Sequence, residues 1–211
     1  LGPTVSSAAS RTYEYGKHAG ETILPIVEKG VVGAYNITKE GVGALVDVIQ
    51  ESLKILNPRA ILCEKPLSYN YEDAKNIIKI CNDFKVDIFV NYMRRCDPGV
   101  IEIKNKIDKN IIKNPLKGIC WYSKGLYNNG SHFINLLEFW LGNYKKLKII
   151  DIGRSFNEKD IEPEFFIEFE KGSIIFRSAW EEYFSFYNIE LIGESGVLKY
   201  TKGGEQINLY E

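Results

Sequence analysis

Lys65 and His132 are the side chains of this 211-residue chain whose setting suits proton chemistry. Lys65 lies in Glu64-Lys65-Pro66, directly after the apolar run Ala60-Ile61-Leu62-Cys63. A proline disfavours helical geometry in the residue before it. The spacing therefore predicts a strand with the lysine amine projecting from its carboxyl end. In open α/β sheets that edge is where ligands bind. His132 ends Asn128-Asn129-Gly130-Ser131-His132 and opens an amphipathic run. Asn128 precedes it by one helical turn, so a helix or its first turn puts both on one face. A lysine and a histidine meeting at a strand edge form a proton-transfer pair. Asn128 can donate and accept hydrogen bonds but cannot titrate.

These side chains need a frame, and from Asn57 onward the local signals agree on one. Val46 to Leu56 reads as a crossover helix before the Lys65 strand. Asn70 caps a helix with Asp73 three residues on, and Ala74, Ile77, Ile78 and Cys81 fall on one face. Val86 to Val90 reads as a short buried strand. Asp97-Pro98 is an N-cap and first-turn pair, followed by Val100, Ile103 and Ile107 at helical spacing. Ser131 to Leu141 is helical, and Gly142 ends it. The period then changes. Phe165, Ile167 and Phe169 alternate with Phe166, Glu168 and Glu170 before the turn at Lys171-Gly172. Ile174, Phe176 and Trp180 continue the alternation in a returning strand. Tyr187, Ile189 and Leu191 form another such face, and Val197 to Tyr200 and Ile207 to Tyr210 read as two more strands. The pattern predicts an antiparallel meander.

Several function classes fall away on composition. Formal net charge is −1, from 27 basic and 28 acidic side chains with no basic stripe, which argues against a nucleic-acid binder. No apolar run is long enough for a membrane span, and no secretory signal is visible. Cys63, Cys81, Cys96 and Cys120 show no C-x-x-C pair, and two histidines are too few to complete a zinc pattern, so no metal site is expected. Reduced, mostly buried cysteines in a cytoplasmic protein are the expectation.

The ordered series is what carries a resemblance. Glu64-Lys65-Pro66-Leu67 comes first, then a helix, then Asn91-Tyr92-Met93-Arg94-Arg95, then Asp97-Pro98, then the glycine–histidine segment Gly125 to Leu141. In this order and spacing, residues from about Asn57 to Glu211 resemble the glucose-fructose oxidoreductase and inositol dehydrogenase (Gfo/Idh/MocA) family of NAD(P)-dependent enzymes. The resemblance implies hydride transfer between a sugar, cyclitol or nucleotide-sugar carbon and the nicotinamide of NAD or NADP. It implies His132 as general base and Lys65 as the group that hydrogen-bonds the reacting oxygen. Glu64, Lys65 and Pro66 fall at the cofactor edge, and Lys65-Pro66 is expected to be cis. Asn91 and Tyr92 would line the pocket, although Tyr92 reads equally well as a core aromatic. Arg94 and Arg95 would bind an anionic group; ion pairing within the fold accounts for them equally well. Two positions depart from the family. Asn128 and Asn135 stand where relatives usually or often carry aspartate, and both departures remove negative charge.

Residues 1–45 do not match the family. Its G-x-G-x-x-G turn, which cradles a pyrophosphate at a helix N-terminus, has its nearest counterpart here in Gly41-Val42-Gly43-Ala44-Leu45-Val46, and the third glycine is missing. The chain begins at Leu1, and an upstream part is expected to be missing. The expected class is α/β: an incomplete Rossmann-like dinucleotide-binding half, followed by an α+β domain with a mainly antiparallel sheet. Its segments are an atypical stretch at 1–45, a dinucleotide-domain remnant at 46–95 and a substrate and dimerisation domain at 96–211. The expected partners are a sugar-like molecule and a second copy of the chain through the carboxy-terminal sheet. A non-catalytic binding or assembly scaffold is the alternative, and a lipid- or partner-contacting role for residues 1–45 is a third reading.

Overall fold

The structure is a computed structural model that describes residues 31–32, 42–180 and 186–210. Most of the segment 1–45, for which a lipid- or partner-contacting role was one reading, lies outside these, Gly41 included. Two compact units divide between Asn91 and Tyr92, inside the Asn91–Arg95 element rather than after it.

The first unit is a parallel α/β arrangement. β1 (Val31–Val32), α1 (Val42–Leu56), β2 (Ala60–Glu64), α2 (Tyr71–Asp83) and β3 (Asp87–Asn91) follow in order. The three strands pair in parallel as β1-β2-β3. Val31–Val32 and the start of α1 come from the segment read as atypical, and they belong to this unit. Asn70 caps α2 by accepting the Glu72 amide. Its own amide bonds Ser68 Oγ, in place of the expected reciprocal contact from Asp73. The core is made by Ile49 and Leu53 of α1, Ile77 and Cys81 of α2, and Ile61 and Cys63 of β2. β3 departs from the buried strand expected. It lies at a sheet edge, and Phe89 is 57% exposed with Leu62 beside it at 38% among the described residues.

The second unit sets two helices on one mixed sheet. A 3₁₀ turn (Met93–Cys96) leads into α3 (Pro98–Asp108), β4 (Leu116–Tyr122), a π-helical turn (Leu126–Gly130) and α4 (Ser131–Leu141). Six strands complete it: β5 (Tyr144–Asn157), β6 (Asp160–Phe169), β7 (Gly172–Ser178), β8 (Asn188–Gly193), β9 (Gly196–Thr201) and β10 (Gln206–Tyr210). Asp97 caps α3 through the amides of Gly99 and Val100. Gly142, at φ 83°, ends α4 with its amide on Glu138.

The sheet order is β10-β9-β8-β4-β7-β6-β5. It corrects the meander expectation: β4 is inserted between β7 and β8 and runs parallel to β7, while the other five pairings are antiparallel. Gly118 is needed at this insertion, because a Cβ there would meet the Glu190 carbonyl oxygen at 2.2 Å. Trp180 lies beyond the strand it was assigned to and is 62% exposed. The alternation divides the sheet into two faces, with Phe165, Ile174 and Leu191 buried and Ile175 and Ile192 open.

α3 and α4 cover the inner face. Phe133, Leu136, Leu137, Trp140 and Leu141 of α4 join Val100, Ile103 and Ile107 of α3 and the inward side chains of the sheet in one core. Trp140 is fully buried, and its indole N–H donates to the Val100 carbonyl at 3.0 Å. Phe165 stacks on Phe176 with centroids 4.5 Å apart. Removing a buried indole takes away its burial energy and leaves a cavity. Trp140→Ala is expected to lower stability by about 3–5 kcal/mol, read from chemical denaturation followed by circular dichroism.

Candidate functional site

The carboxyl edge of the first unit carries Glu64, Lys65 and Pro66. β2 ends at Glu64, Lys65 follows directly and is half-buried, and the Lys65-Pro66 peptide is cis as expected. Glu64 pairs in register with Asn91 on β3, and the Asn91 amide nitrogen donates to its carboxylate at 2.8 Å. The partner of Glu64 is thus a side chain on the neighbouring strand. Two adjacent parallel strand ends are tied together beside the lysine. Cys63, just before them, is fully buried; burial and the Glu64 charge push its thiol up to about 11.

In the second unit a polar stripe runs along α4. The turn before the helix is π-helical, with the Gly130 amide reaching back to the Gly125 carbonyl at 3.0 Å. Such bulges recur at functional sites. Asn128 is in this turn, while His132 lies in the first turn of the α-helix; both are half-buried. Tyr92 stands edge-on to the His132 imidazole at 5.8 Å and 89°. Burial raises the Tyr92 phenol, and a hydrogen bond with Ser131 opposes this. Tyr92 is therefore a wall of the His132 surroundings within this unit. Farther along α4, the side-chain oxygen of Asn135 is buried without a hydrogen-bond partner. A buried orphan oxygen is costly, and it marks a position at which a donor group would be stabilised.

The two arginines have partners within the fold. Arg94 donates to the Gly203 carbonyl and, at 3.0 Å, to the Tyr200 hydroxyl, and its guanidinium lies over the Phe133 ring. Arg95 donates to the Asn135 carbonyl at 3.1 Å, faces Glu138 at 3.8 Å and covers Phe139. Its Nε remains buried without a partner. Both thus brace the 3₁₀ turn, and Arg95 keeps a donor beside Asn135.

Sequence reasoning missed the groups that hold the π-helical turn. Asp160 and Glu162, 3% and 0% exposed, accept the amides of Tyr127, Asn128 and Gly125. Two acids at alternate positions near a strand start were the available signal. The inward parity of β6 changes at Pro163, which puts Glu162 out of step with Phe165 and hides it. Among the described residues no group of three or more His, Cys, Asp or Glu side chains could hold a metal ion. No helix among them is long and apolar enough to cross a membrane.

The half-buried Lys65 directly follows the strand end that the Glu64–Asn91 bond ties to its neighbour.

Thiol chemistry tests this packing. All four cysteines are free; Cys96 is exposed, and Cys63, Cys81 and Cys120 are buried with thiols raised by burial. An aromatic disulfide reagent at neutral pH should label Cys96 rapidly in the native protein and all four only after denaturation. Rapid native labelling of Cys63 would contradict the packing at the end of β2.

No family model matches the chain. Over 58 residues the chain is 33% identical to D-xylose 1-dehydrogenase (NADP(+)) of Haloarcula marismortui, a match to 28% of this chain and 16% of that protein. Among solved structures, an NAD binding oxidoreductase from Klebsiella pneumoniae superposes with a TM-score of 0.71 at 14% identity, covering 86% of this chain and 56% of that one. An inositol dehydrogenase homolog from Azotobacter vinelandii, complexed with NADH and myo-inositol, gives a TM-score of 0.65 at 15% identity over 85% and 56% of the two chains. The WlbA dehydrogenase from Bordetella pertussis, in complex with NADH and UDP-GlcNAcA, gives 0.62 at 15% identity over 87% and 60%. The chain spans a little over half the length of these structures. With its motif order and this superposition together, the chain has the fold of the Gfo/Idh/MocA-type NAD(P)-dependent oxidoreductases.

Proposed function

We propose that this chain supplies the substrate-handling part of an NAD(P)-dependent oxidoreductase acting on a sugar, cyclitol or nucleotide-sugar hydroxyl. The observation that carries it is the stripe on α4. His132 against the Tyr92 ring and Asn135 one turn on are polar, half-buried positions of a largely apolar helix, and Asn128 stands in the π-helical turn just before it. On this reading His132 takes the proton of the substrate hydroxyl, and Lys65, directly after β2, is a hydrogen-bond donor suited to developing negative charge. Asn128 orients the hydroxyl, and Tyr92 lines the surroundings of His132. Arg94 and Arg95 are the cations of this unit suited to an anionic substituent on the substrate, in addition to bracing the turn. Glu64, Lys65 and Pro66 would face NAD or NADP, which when bound supplies the hydride acceptor. Free thiols throughout suit a cytoplasmic setting.

One observation favours the second reading, a binding or assembly scaffold without cofactor: Val46 stands where the third glycine of a phosphate-binding turn would be. Calorimetric titration of the purified 211-residue chain with NADH and NADPH is expected to show no micromolar binding. Turnover is to be sought with a panel of sugars, cyclitols and nucleotide sugars at high NAD or NADP. Where it is found, His132→Asn should lower kcat by about 10²–10⁴-fold. A fully active His132→Asn protein would remove the assignment.

The outer face of the second unit's sheet supports a homodimer. Phe166, Ile175 and Ile119 form a row across β6, β7 and β4, with Ile192 and Val197 in register nearby. Ion pairs Arg177–Glu164 and Lys199–Glu190 flank them. Apolar patches rimmed by charge mark contact surfaces. Light scattering at tens of micromolar should give a dimer, and Ile175→Glu should yield a folded monomer. A monomeric parent protein would exclude the interface.

A further inference from the structure

The residues that present Asn128 and His132 are themselves held from β6. The two oxygens of the Asp160 carboxylate accept the Tyr127 and Asn128 amides, each at 3.0 Å. Glu162 accepts the Gly125 amide at 3.2 Å and the Arg154 Nε–H at 2.7 Å. These are amides that the start of a helical turn leaves without partners. A carboxylate at that end is also aligned favourably with the helix dipole. The fit leaves no slack. Gly125 has φ 83°, and a Cβ there would stand 2.1 Å from Asp160 Oδ2, so the backbone approaches the carboxylate as closely as only glycine allows.

From Asn128 the held backbone continues without a break into α4. Gly130 N–H bonds the Gly125 carbonyl, and Ser131 Oγ donates to the Tyr127 carbonyl at 2.8 Å. The peptide carrying Asn128 is thus pinned at its own nitrogen, and His132 follows one turn later on the same hydrogen-bonded path.

We infer that Asp160 is a positioning residue for the Asn128–His132 pair, setting the phase of the π-helical turn by accepting two consecutive amides. Glu162, neutralised by Arg154, anchors the start of the same turn. The consequence for catalysis rests on the function proposed above; the positioning does not.

Asp160→Asn is the direct test. An asparagine keeps one acceptor but turns its NH₂ toward the second amide, so one of the two bonds is lost. With His18 replaced by Gln, His132 is the single imidazole, and its ring nitrogens can be followed by NMR without substrate or cofactor. The Asp160→Asn protein is expected to keep its circular dichroism spectrum while the His132 ring signals and titration midpoint move. The Tyr127 and Asn128 amides should exchange about ten- to a hundredfold faster. Faster exchange with unchanged His132 signals would mean that Asp160 serves loop stability alone, and the inference falls. Should Asp160→Asn not fold, Asp160→Glu keeps the charge and shifts its reach, and must displace the same signals. If neither folds, exchange in the parent decides, and Tyr127 and Asn128 amides as fast as an exposed loop overturn the inference. A catalytically inert chain with displaced His132 signals would sink the enzymatic reading and leave this one standing.

Discussion

Burial of α4 on the sheet is the constraint from which the second unit follows. Five of its eleven residues are buried, and Trp140 is tied to α3 through the Val100 carbonyl. A helix so apolar has a single phase in which its polar positions avoid the core. That phase puts His132 and Asn135 on one stripe, and Tyr92, Arg94 and Arg95 close around it through ring and carbonyl contacts. The candidate chemistry thus occupies the strip that packing leaves over, and rigidity of the scaffold becomes rigidity of the site.

What the sequence revealed and concealed divides along the same physical line. Helices were legible because caps and a 3.6-residue apolar period are local signals: Asn70, Asp97 and Gly142 all stand at the ends they announce. Strands β6 to β10 were legible through alternation. β4 and β5 were not. β4 carries Gly118 at its centre, demanded by a carbonyl from a strand far along the chain, and nothing local signals that demand. β5 is exposed along almost its whole length, so no buried face imposes a period on it.

The candidate site was legible in part for the same reason. Lys65 and His132 announce themselves through neighbours in sequence, Pro66 and the Ser131–Leu141 run. Asp160 and Glu162 act on residues more than thirty positions away, and the change of parity at Pro163 disguises them as outward-facing acids. The Glu64–Asn91 bond needs strand register, which pairs two side chains that sequence spacing leaves unrelated.

The insertion of β4 bears on how the chain acquires its structure. Leu116 pairs with Gly172, and Lys117 with Ile192, so the centre of the sheet has no strand partner until much later segments exist. Closing such long loops precedes any reward from pairing, which makes assembly slow relative to local hairpins. The hairpins β6–β7 and β8–β9 can form on their own, whereas β4, bearing Ile119 and Trp121, waits with both backbone edges open. During synthesis this strand emerges before both of its partners, β7 and β8. Until they are made, its unpaired edges are the kind of surface on which chains aggregate.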